Sequence, residues 1–187
     1  LEPLEESELS VLPAAAVIGG GMAGMTAALS LARRGFSVTL VEREPELGGI
    51  LNHLDTLYPS RTSAHDLVER TVAEVADHPH IDVMTSAQLR DVRGYIGNYE
   101  LIVHSEQFNA DLPVPAGAII IATGAKEFKP VGIYGYGSDP RVVTQQELEI
   151  RLASDPDRSP VPQGRSAMPT VVMIQCVGAR DKTHAYC

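Results

Sequence analysis

The chain contains no tryptophan, only three phenylalanines and only two cysteines among its 187 residues. Cys176 and Cys187 form neither a C-x-x-C pair nor a zinc-ligand spacing, so no metal site is expected. No run of eighteen apolar residues occurs, and a membrane span is therefore not predicted. The first ten residues hold four glutamates and no basic cluster, which is unlike a secretory signal. These absences favour a cytoplasmic protein.

The chain also lacks the excess of cations that a nucleic-acid surface needs. It carries 15 lysines and arginines against 24 acidic residues, a net charge of −9, and we expect no nucleic-acid partner. The apolar fraction of 44% is ordinary for a globular domain with a core. Because the chain begins at Leu1 and stops at Cys187, shortly after an apolar segment, we expect it to be a piece of a larger protein.

The most informative segment is 14–24, where a short apolar strand leads through a glycine-rich turn into a helix. Gly19 permits a tight turn, Gly21 lets the backbone approach a pyrophosphate, and Gly24 lets the helix pack closely on the strand. Glu42 follows a second predicted strand and has the chemistry to accept hydrogen bonds from a ribose. The segment therefore predicts a dinucleotide site, with the phosphates at the helix N-terminus.

Hydrophobic periodicity and turn residues predict the remaining elements. Together they indicate an α/β, Rossmann-like domain in which helices and a small antiparallel meander accompany a parallel sheet. The continuously apolar strand 118–122 is expected to be central in that sheet. The predicted elements are helices at Met22–Arg34, from a Ser63 cap through about Ala76, and from a Thr144/Glu147 capping box through Leu152, with strands at 81–84, 89–92, 100–104, 118–122 and 170–177.

Three features favour FAD over NAD as the dinucleotide. Gly48 and Gly49 follow Glu42 after a short loop, where a second backbone approach to the flavin side of the cofactor would be useful. The crossover of the sheet is a meander and not another βαβ unit. The strand that ends at Ala122 leads into a small turn at Thr123 and Gly124.

The predicted domain organisation follows from these features. Residues 1–12 are a linker, 13–153 a FAD-binding Rossmann-like domain, 154–169 a proline-rich linker, and 170–187 the first strand of a truncated second dinucleotide-binding domain. Cys176 is expected to be buried within that strand as a small apolar residue.

The order of glycine fingerprint, Glu-Arg, Leu-Gly-Gly, meander and Ala-Thr-Gly resembles the two-dinucleotide-binding-domain flavoproteins. Three segments resemble heterodisulfide reductase A in particular: GILNHLDTLYP at 49–59, VRGYIGNY at 92–99 and IQCVGARD at 174–181. The resemblance implies a FAD subunit that passes electrons between a nicotinamide or low-potential donor and an iron–sulfur or disulfide partner. It would work with iron–sulfur electron-transfer subunits, and the intact parent would use NAD(P)H.

The resemblance also implies a set of cofactor-binding residues and no catalytic side chain, since the flavin carries the chemistry. Glu42 would hold the ribose and Val83 would offer backbone contacts to the adenine. The full set is Gly19, Gly20, Gly21, Met22, Ala23, Gly24, Glu42, Arg43, Gly48, Gly49, Val83, Ala122, Thr123 and Gly124.

The chain departs from the heterodisulfide reductase A pattern at three places. Residues 60–65 contain no cysteine where that family has them, 86–117 contain none either, and Ile50 stands at the usual arginine. No iron–sulfur cluster is therefore expected in this piece. Two alternatives stay open: an NAD(P)-linked oxidoreductase in which Glu42 binds an NAD ribose, and a docking domain that holds no cofactor.

Overall fold

The structure, a computed structural model, describes residues 10–154 and 170–180. Two compact units divide the chain: residues through Asn52 together with Thr56–Gly124 form unit 1, and His53–Asp55 with the chain from Ala125 onward form unit 2. The acidic lead-in at 1–9, most of the predicted linker at 154–169, and Cys187 lie outside the described residues.

A four-stranded parallel sheet forms the centre of unit 1. Strand β1 (Ala14–Ile18) lies between β2 (Ser37–Val41) and β9 (Ala118–Ile121), and β5 (Ile81–Met84) pairs with the other side of β2. Because the strands are parallel, the glycine turn after β1 and the acid after β2 lie at the same edge of the sheet. Ligands bind at this edge in open α/β sheets.

Side-chain alternation along the strands builds two apolar layers. Val17 in β1 packs against helices α1 (Met22–Ala32) and α2 (Ala64–Ala76), whereas the adjacent Ala16 faces the opposite side. An antiparallel meander covers that opposite side. Successive residues of a strand point to opposite faces, so a sheet covered on both sides needs apolar residues at nearly every position. The meander strands are β6 (Ala87–Tyr95), β7 (Asn98–Ser105) and β8 (Ala110–Ala116).

The remaining elements of this part of the chain are short. A 3₁₀ helix covers Gly49–His53, and β3 (Thr56–Leu57) pairs with β4 (Thr62–Ser63) as a small antiparallel ribbon. Ser63 then caps α2, because its hydroxyl accepts the N–H of Asp66 at 3.1 Å. The α/β, Rossmann-like class, the meander and this cap were predicted, and helix α1 ends two residues earlier than expected.

Strand β9 does not have the central position that its apolar sequence predicted. It lies at the end of the strand order, and Ile121 is 65% exposed. Its second edge pairs with no strand among the described residues. The sequence of a strand reports the hydrophobicity of its side chains, but it does not report which neighbours hydrogen-bond to each edge.

The predicted strand at 170–177 and the predicted burial of Cys176 are also wrong for the residues described. Residues 170–176 form no strand and are exposed, and Cys176 is exposed with them. A strand requires a hydrogen-bonded neighbour, and no described strand pairs with this segment. An apolar, β-branched sequence without a paired strand therefore does not become part of a sheet here.

Helix α3 (Gln145–Ser154) is the main regular element of unit 2, and a capping box starts it. Thr144 Oγ1 accepts the Glu147 N–H at 3.2 Å, and Glu147 Oε2 accepts the Thr144 N–H at 3.0 Å. Glu147 Oε1 further accepts the Tyr136 hydroxyl at 2.7 Å and the Lys129 ammonium at 2.9 Å. Glu127 accepts the Gln146 N–H at 3.1 Å from the same helix end.

The three bonds that the Glu147 carboxylate accepts favour its ionised form. The Thr144 N–H, then the Tyr136 hydroxyl and the Lys129 ammonium lower the pKa of Glu147 from 4.5 to about 2. For Glu127, burial raises the pKa, but hydrogen bonds from Lys129 and Thr144 outweigh it and the net pKa is lowered. The start of α3 is therefore a charge-dependent structure.

None of the helices within 10–154 and 170–180 has both the length and the apolar character that crossing a membrane would require.

The exchange Glu147→Gln is expected to lower the melting temperature near neutral pH and to lose its effect in acid. The folded pKa of about 2 lies below the ordinary value of 4.5, so the carboxylate stabilises the fold above about pH 5. That contribution is lost as the pH falls through the folded pKa. Calorimetry of wild type and variant from pH 7 to pH 2.5 measures the difference, and Glu106→Gln in an exposed turn is the control. A difference that stays constant with pH would contradict the assignment.

Candidate functional site

The glycine turn lies where three parallel strands end. It follows β1 directly, the Gly19 N–H donates to the Val41 carbonyl at 2.8 Å, and the Ala122 N–H donates to the Ile18 carbonyl at 2.8 Å. The turn is thus hydrogen-bonded to the carboxyl ends of β2 and β9. This arrangement places the predicted turn, Glu42 and Ala122 together.

Glycine is sterically required at two positions where the turn packs against the strand ends and against α1. Gly19 has φ +110°, and a methyl group there would overlap the Ala122 carbonyl. A methyl group on Gly24 would overlap the Gly19 carbonyl oxygen and lie 3.5 Å from the Ala122 side chain. The first turn of α1 therefore packs against the backbone of the loop that precedes it. Only glycine permits this approach.

Gly21 is different, because it has room. It is the N-cap of α1 with φ −73°, a conformation that alanine adopts, and an added Cβ would lie 4.0 Å from the Gly49 Cα. No side chain caps the helix, and its first turn holds no acid. The N–H groups of Met22, Ala23 and Gly24 precede the first intrahelical donor, Met25, whose N–H reaches the Gly21 carbonyl at 2.9 Å. The helix therefore presents N-terminal amides that have no intrahelical acceptor, and a partial positive charge.

Glu42 is the buried acid of the site, 8% exposed. Its Oε2 accepts the Gly20 N–H at 2.5 Å and its Oε1 accepts the Glu44 N–H at 2.8 Å. A desolvated carboxylate is costly unless it is hydrogen-bonded, and here two backbone donors satisfy it. Its two oxygens offer about four acceptor positions, so two remain for other donors. Glu42 thereby joins the glycine turn to the end of β2.

The loop Leu47–Gly49 packs against the glycine turn through its backbone and through the Leu47 side chain, whose Cδ2 lies against Gly20. The Gly48 N–H donates to the Gly20 carbonyl at 2.9 Å, and Gly21 and Gly48 form a parallel β-bridge. An added Cβ on Gly49 would lie 3.1 Å from the Gly21 Cα. Gly48 and Gly49 therefore lie directly beside the glycine turn, and their approach to the flavin side of a cofactor stays a prediction.

The remaining predicted residues lie at the margin of this cluster. Thr123 and Gly124 follow Ala122 in an exposed segment, and Arg43 is exposed with its Nε 3.2 Å from the Glu44 carboxylate. Val83 belongs to the outer strand β5 and is 38% exposed. The carbonyl of the next residue, Met84, accepts the Glu42 N–H at 2.8 Å, so the end of β5 adjoins the acid.

Two features of this part of the structure were not predicted from the sequence. Asn52 contacts the Leu47–Gly49 loop, and its only sequence signal is an amide side chain four residues after Gly48. His65, Asp66 and Glu69 have ligand atoms within 4.8 Å of one another, although all three are exposed. Their spacing brings them to the first turns of α2, as one helix turn separates His65 from Glu69.

Comparison with known proteins gives a family match and several similar proteins. The profile of a family described as pyridine nucleotide-disulphide oxidoreductase matches residues 13–161. A Methanopyrus kandleri protein named as an iron-sulfur subunit of CoB–CoM heterodisulfide reductase is 28% identical, over 100% of this chain and 41% of its own length. A heterodisulfide reductase A-like protein of Archaeoglobus profundus is 37% identical over 63% of this chain and 17% of its length. The chain spans less than half the length of these relatives.

Solved structures of similar fold include two thioredoxin reductases. That of Lactococcus lactis is 26% identical with a TM-score of 0.52, covering 66% of this chain and 40% of that chain. That of T. acidophilum is 19% identical with a TM-score of 0.52, covering 63% and 37%, and supports the fold alone.

Alanine at Gly24 and at Gly21 should have different effects on stability. Gly24→Ala forces a methyl group into the Gly19 carbonyl and is expected to destabilise the chain by about 2 kcal/mol or more. Gly21→Ala adds the same atom in ordinary van der Waals contact, 4.0 Å from the Gly49 Cα, and in an allowed conformation, so its change should be below about 1 kcal/mol. Urea unfolding of the two variants measures the difference. Equal destabilisation would contradict the packing described for the turn.

Proposed function

The chain belongs to the pyridine nucleotide-disulphide oxidoreductase family, and from that membership we propose that it is the FAD-binding part of a flavin-dependent oxidoreductase related to heterodisulfide reductase A. The observation that carries the proposal is the cluster at the strand ends. A sterically required glycine turn, uncapped helix amides and a buried carboxylate meet there. The amides suit the phosphates of a dinucleotide, the carboxylate suits its ribose, and the glycines let the backbone come close.

The residues would contact successive parts of the cofactor, first its phosphates and then its ribose. The amides of Met22, Ala23 and Gly24 would bind the pyrophosphate, which the positive end of α1 favours. Gly21 would let the phosphates approach the backbone, because it has no side chain between the turn and the Gly49 Cα, which lies 4.0 Å from where a Cβ would be. The spare acceptor positions of Glu42 would receive ribose hydroxyls.

The flavin end of the cofactor would lie along the second backbone loop. Gly48, Gly49, Ala122, Thr123 and Gly124 are the residues proposed to line it. Gly19 and Gly20 would complete the turn that holds the pyrophosphate, Arg43 would line the same site, and Val83 in β5 would offer backbone contacts to the adenine. When bound, the flavin supplies the redox chemistry by accepting a hydride or single electrons. The chain's own groups bind it, orient it and hold its polar atoms.

The intact parent is proposed to transfer electrons from a nicotinamide or low-potential donor to an iron–sulfur or disulfide partner. The names of the relatives support this assignment, since one is called an iron-sulfur subunit of a heterodisulfide reductase. The partners would be iron–sulfur electron-transfer subunits. This piece has only Cys176 and Cys187, and it is not expected to hold such a cluster itself. The cytoplasm stays the predicted compartment.

Titration with FAD tests the proposal, and Gly21→Ala is the discriminating variant. The wild type should take up FAD and show flavin absorbance, with a melting temperature that rises with ligand concentration. Gly21→Ala should fold as the wild type does and bind FAD at least about tenfold more weakly, because its methyl group beside Gly49 would narrow the space proposed for the phosphates. A tenfold loss corresponds to about 1.4 kcal/mol.

The outcomes separate the alternatives. A stability shift with NADH and none with FAD would favour an NAD(P)-linked oxidoreductase. A chain that responds to neither ligand would favour a docking domain without cofactor. Gly19→Ala is unsuitable as a control because it disrupts the turn, so Asn98→Ala on the meander serves as the matched surface variant.

A further inference from the structure

The loop Leu47–Gly49 needs an external restraint to stay against the glycine turn. Gly48 and Gly49 both have positive φ, +118° and +60°, and two adjacent glycines restrict the unfolded chain very little. Backbone contacts join the two loops: the Gly48 N–H donates to the Gly20 carbonyl, and Gly21 and Gly48 form a short parallel bridge. The buried side chain of Leu47 lies against Gly20 and fixes the start of the loop, whereas Gly48 and Gly49 have no side chain to hold the rest of it.

The Asn52 side chain supplies that restraint. Its Nδ2 donates to the Leu47 carbonyl at 3.0 Å, reaching back across the first turn of the 3₁₀ helix. The amide group lies directly on Gly48: a Cβ built there would be 2.8 Å from the Asn52 Cγ. The loop is therefore held from one side by Gly20 and from the other by the Asn52 amide.

We propose that Asn52 is a positioning residue for the flavin end of the site, acting through Gly48 and Gly49. Its amide fixes the loop so that Gly49 stays beside Gly21, where the cofactor is proposed to approach both backbones. This inference rests on the proposed function. The residue itself needs no contact with the cofactor, because the backbone of the loop transmits its effect.

Asn52→Asp and Asn52→Ala remove the restraint in two ways. The aspartate keeps the shape of the side chain but replaces the Nδ2 donor with an oxygen that repels the Leu47 carbonyl. The alanine removes the group that lies on Gly48. Asn98→Ala is the matched control, since Asn98 also donates its amide to a backbone carbonyl, that of Ser10, away from the site.

Amide hydrogen exchange in the ligand-free chain is the first measurement. Both Asn52 variants should accelerate exchange of the Gly48 N–H several-fold, while amides in α2 keep their wild-type rates. Asn98→Ala should leave the Gly48 rate unchanged. Unchanged Gly48 exchange in both Asn52 variants would overturn the proposal, whatever the chain does with FAD.

FAD titration of the same proteins is the second measurement. The dissociation constant should rise about tenfold in both Asn52 variants, with melting temperatures of the ligand-free chains within about 2 °C of the wild type. Wild-type affinity in both variants would overturn the positioning role while the proposed function stands. A wild type that takes up no FAD would instead remove the proposed function, and the exchange rates would then report on the loop alone.

Discussion

The close approach of α1 to the loop before it is the constraint on which the rest of the site depends. Gly24 lies so near the Gly19 carbonyl that no side chain fits between them, and Gly19 in turn packs on the backbone after β9. Because only the glycine turn separates β1 from α1, the first amides of the helix lie at the edge of the sheet where its parallel strands end. The Gly20 N–H is then aimed at Glu42, and the Gly20 carbonyl at Gly48.

Local features of the site could be predicted from the sequence, whereas non-local ones could not. The glycine spacing, the acid after β2 and the Thr144 capping box each depend on residues a few positions apart, so propensity and spacing identify them. The edge position of β9 depends on which strands hydrogen-bond to it, and the same apolar sequence suits either place. The strand prediction for segment 170–176 failed for the same reason, because a strand needs a partner that its own sequence does not specify.

Asn52 illustrates a second limit of prediction from the sequence. The sequence identified Gly48 and Gly49 as a backbone approach, but it gave no reason for the approach to be directed at Gly21. The direction follows from tertiary contacts: the bond to Gly20, the buried Leu47 and the Asn52 amide. Functional loops of paired glycines gain their shape from the residues around them, and those residues are ordinary in type.

The position of Glu42 has a consequence for how this sequence can vary. One carboxylate both ties Gly20 to the end of β2 and carries the acceptors left for a ligand. Any exchange that removes the acceptors also leaves the Gly20 and Glu44 N–H groups without their partner, so the nucleotide recognition proposed for Glu42 cannot be altered independently of folding. A lineage that changed its nucleotide preference would therefore do so more readily at the exposed Arg43, where substitution leaves the turn intact.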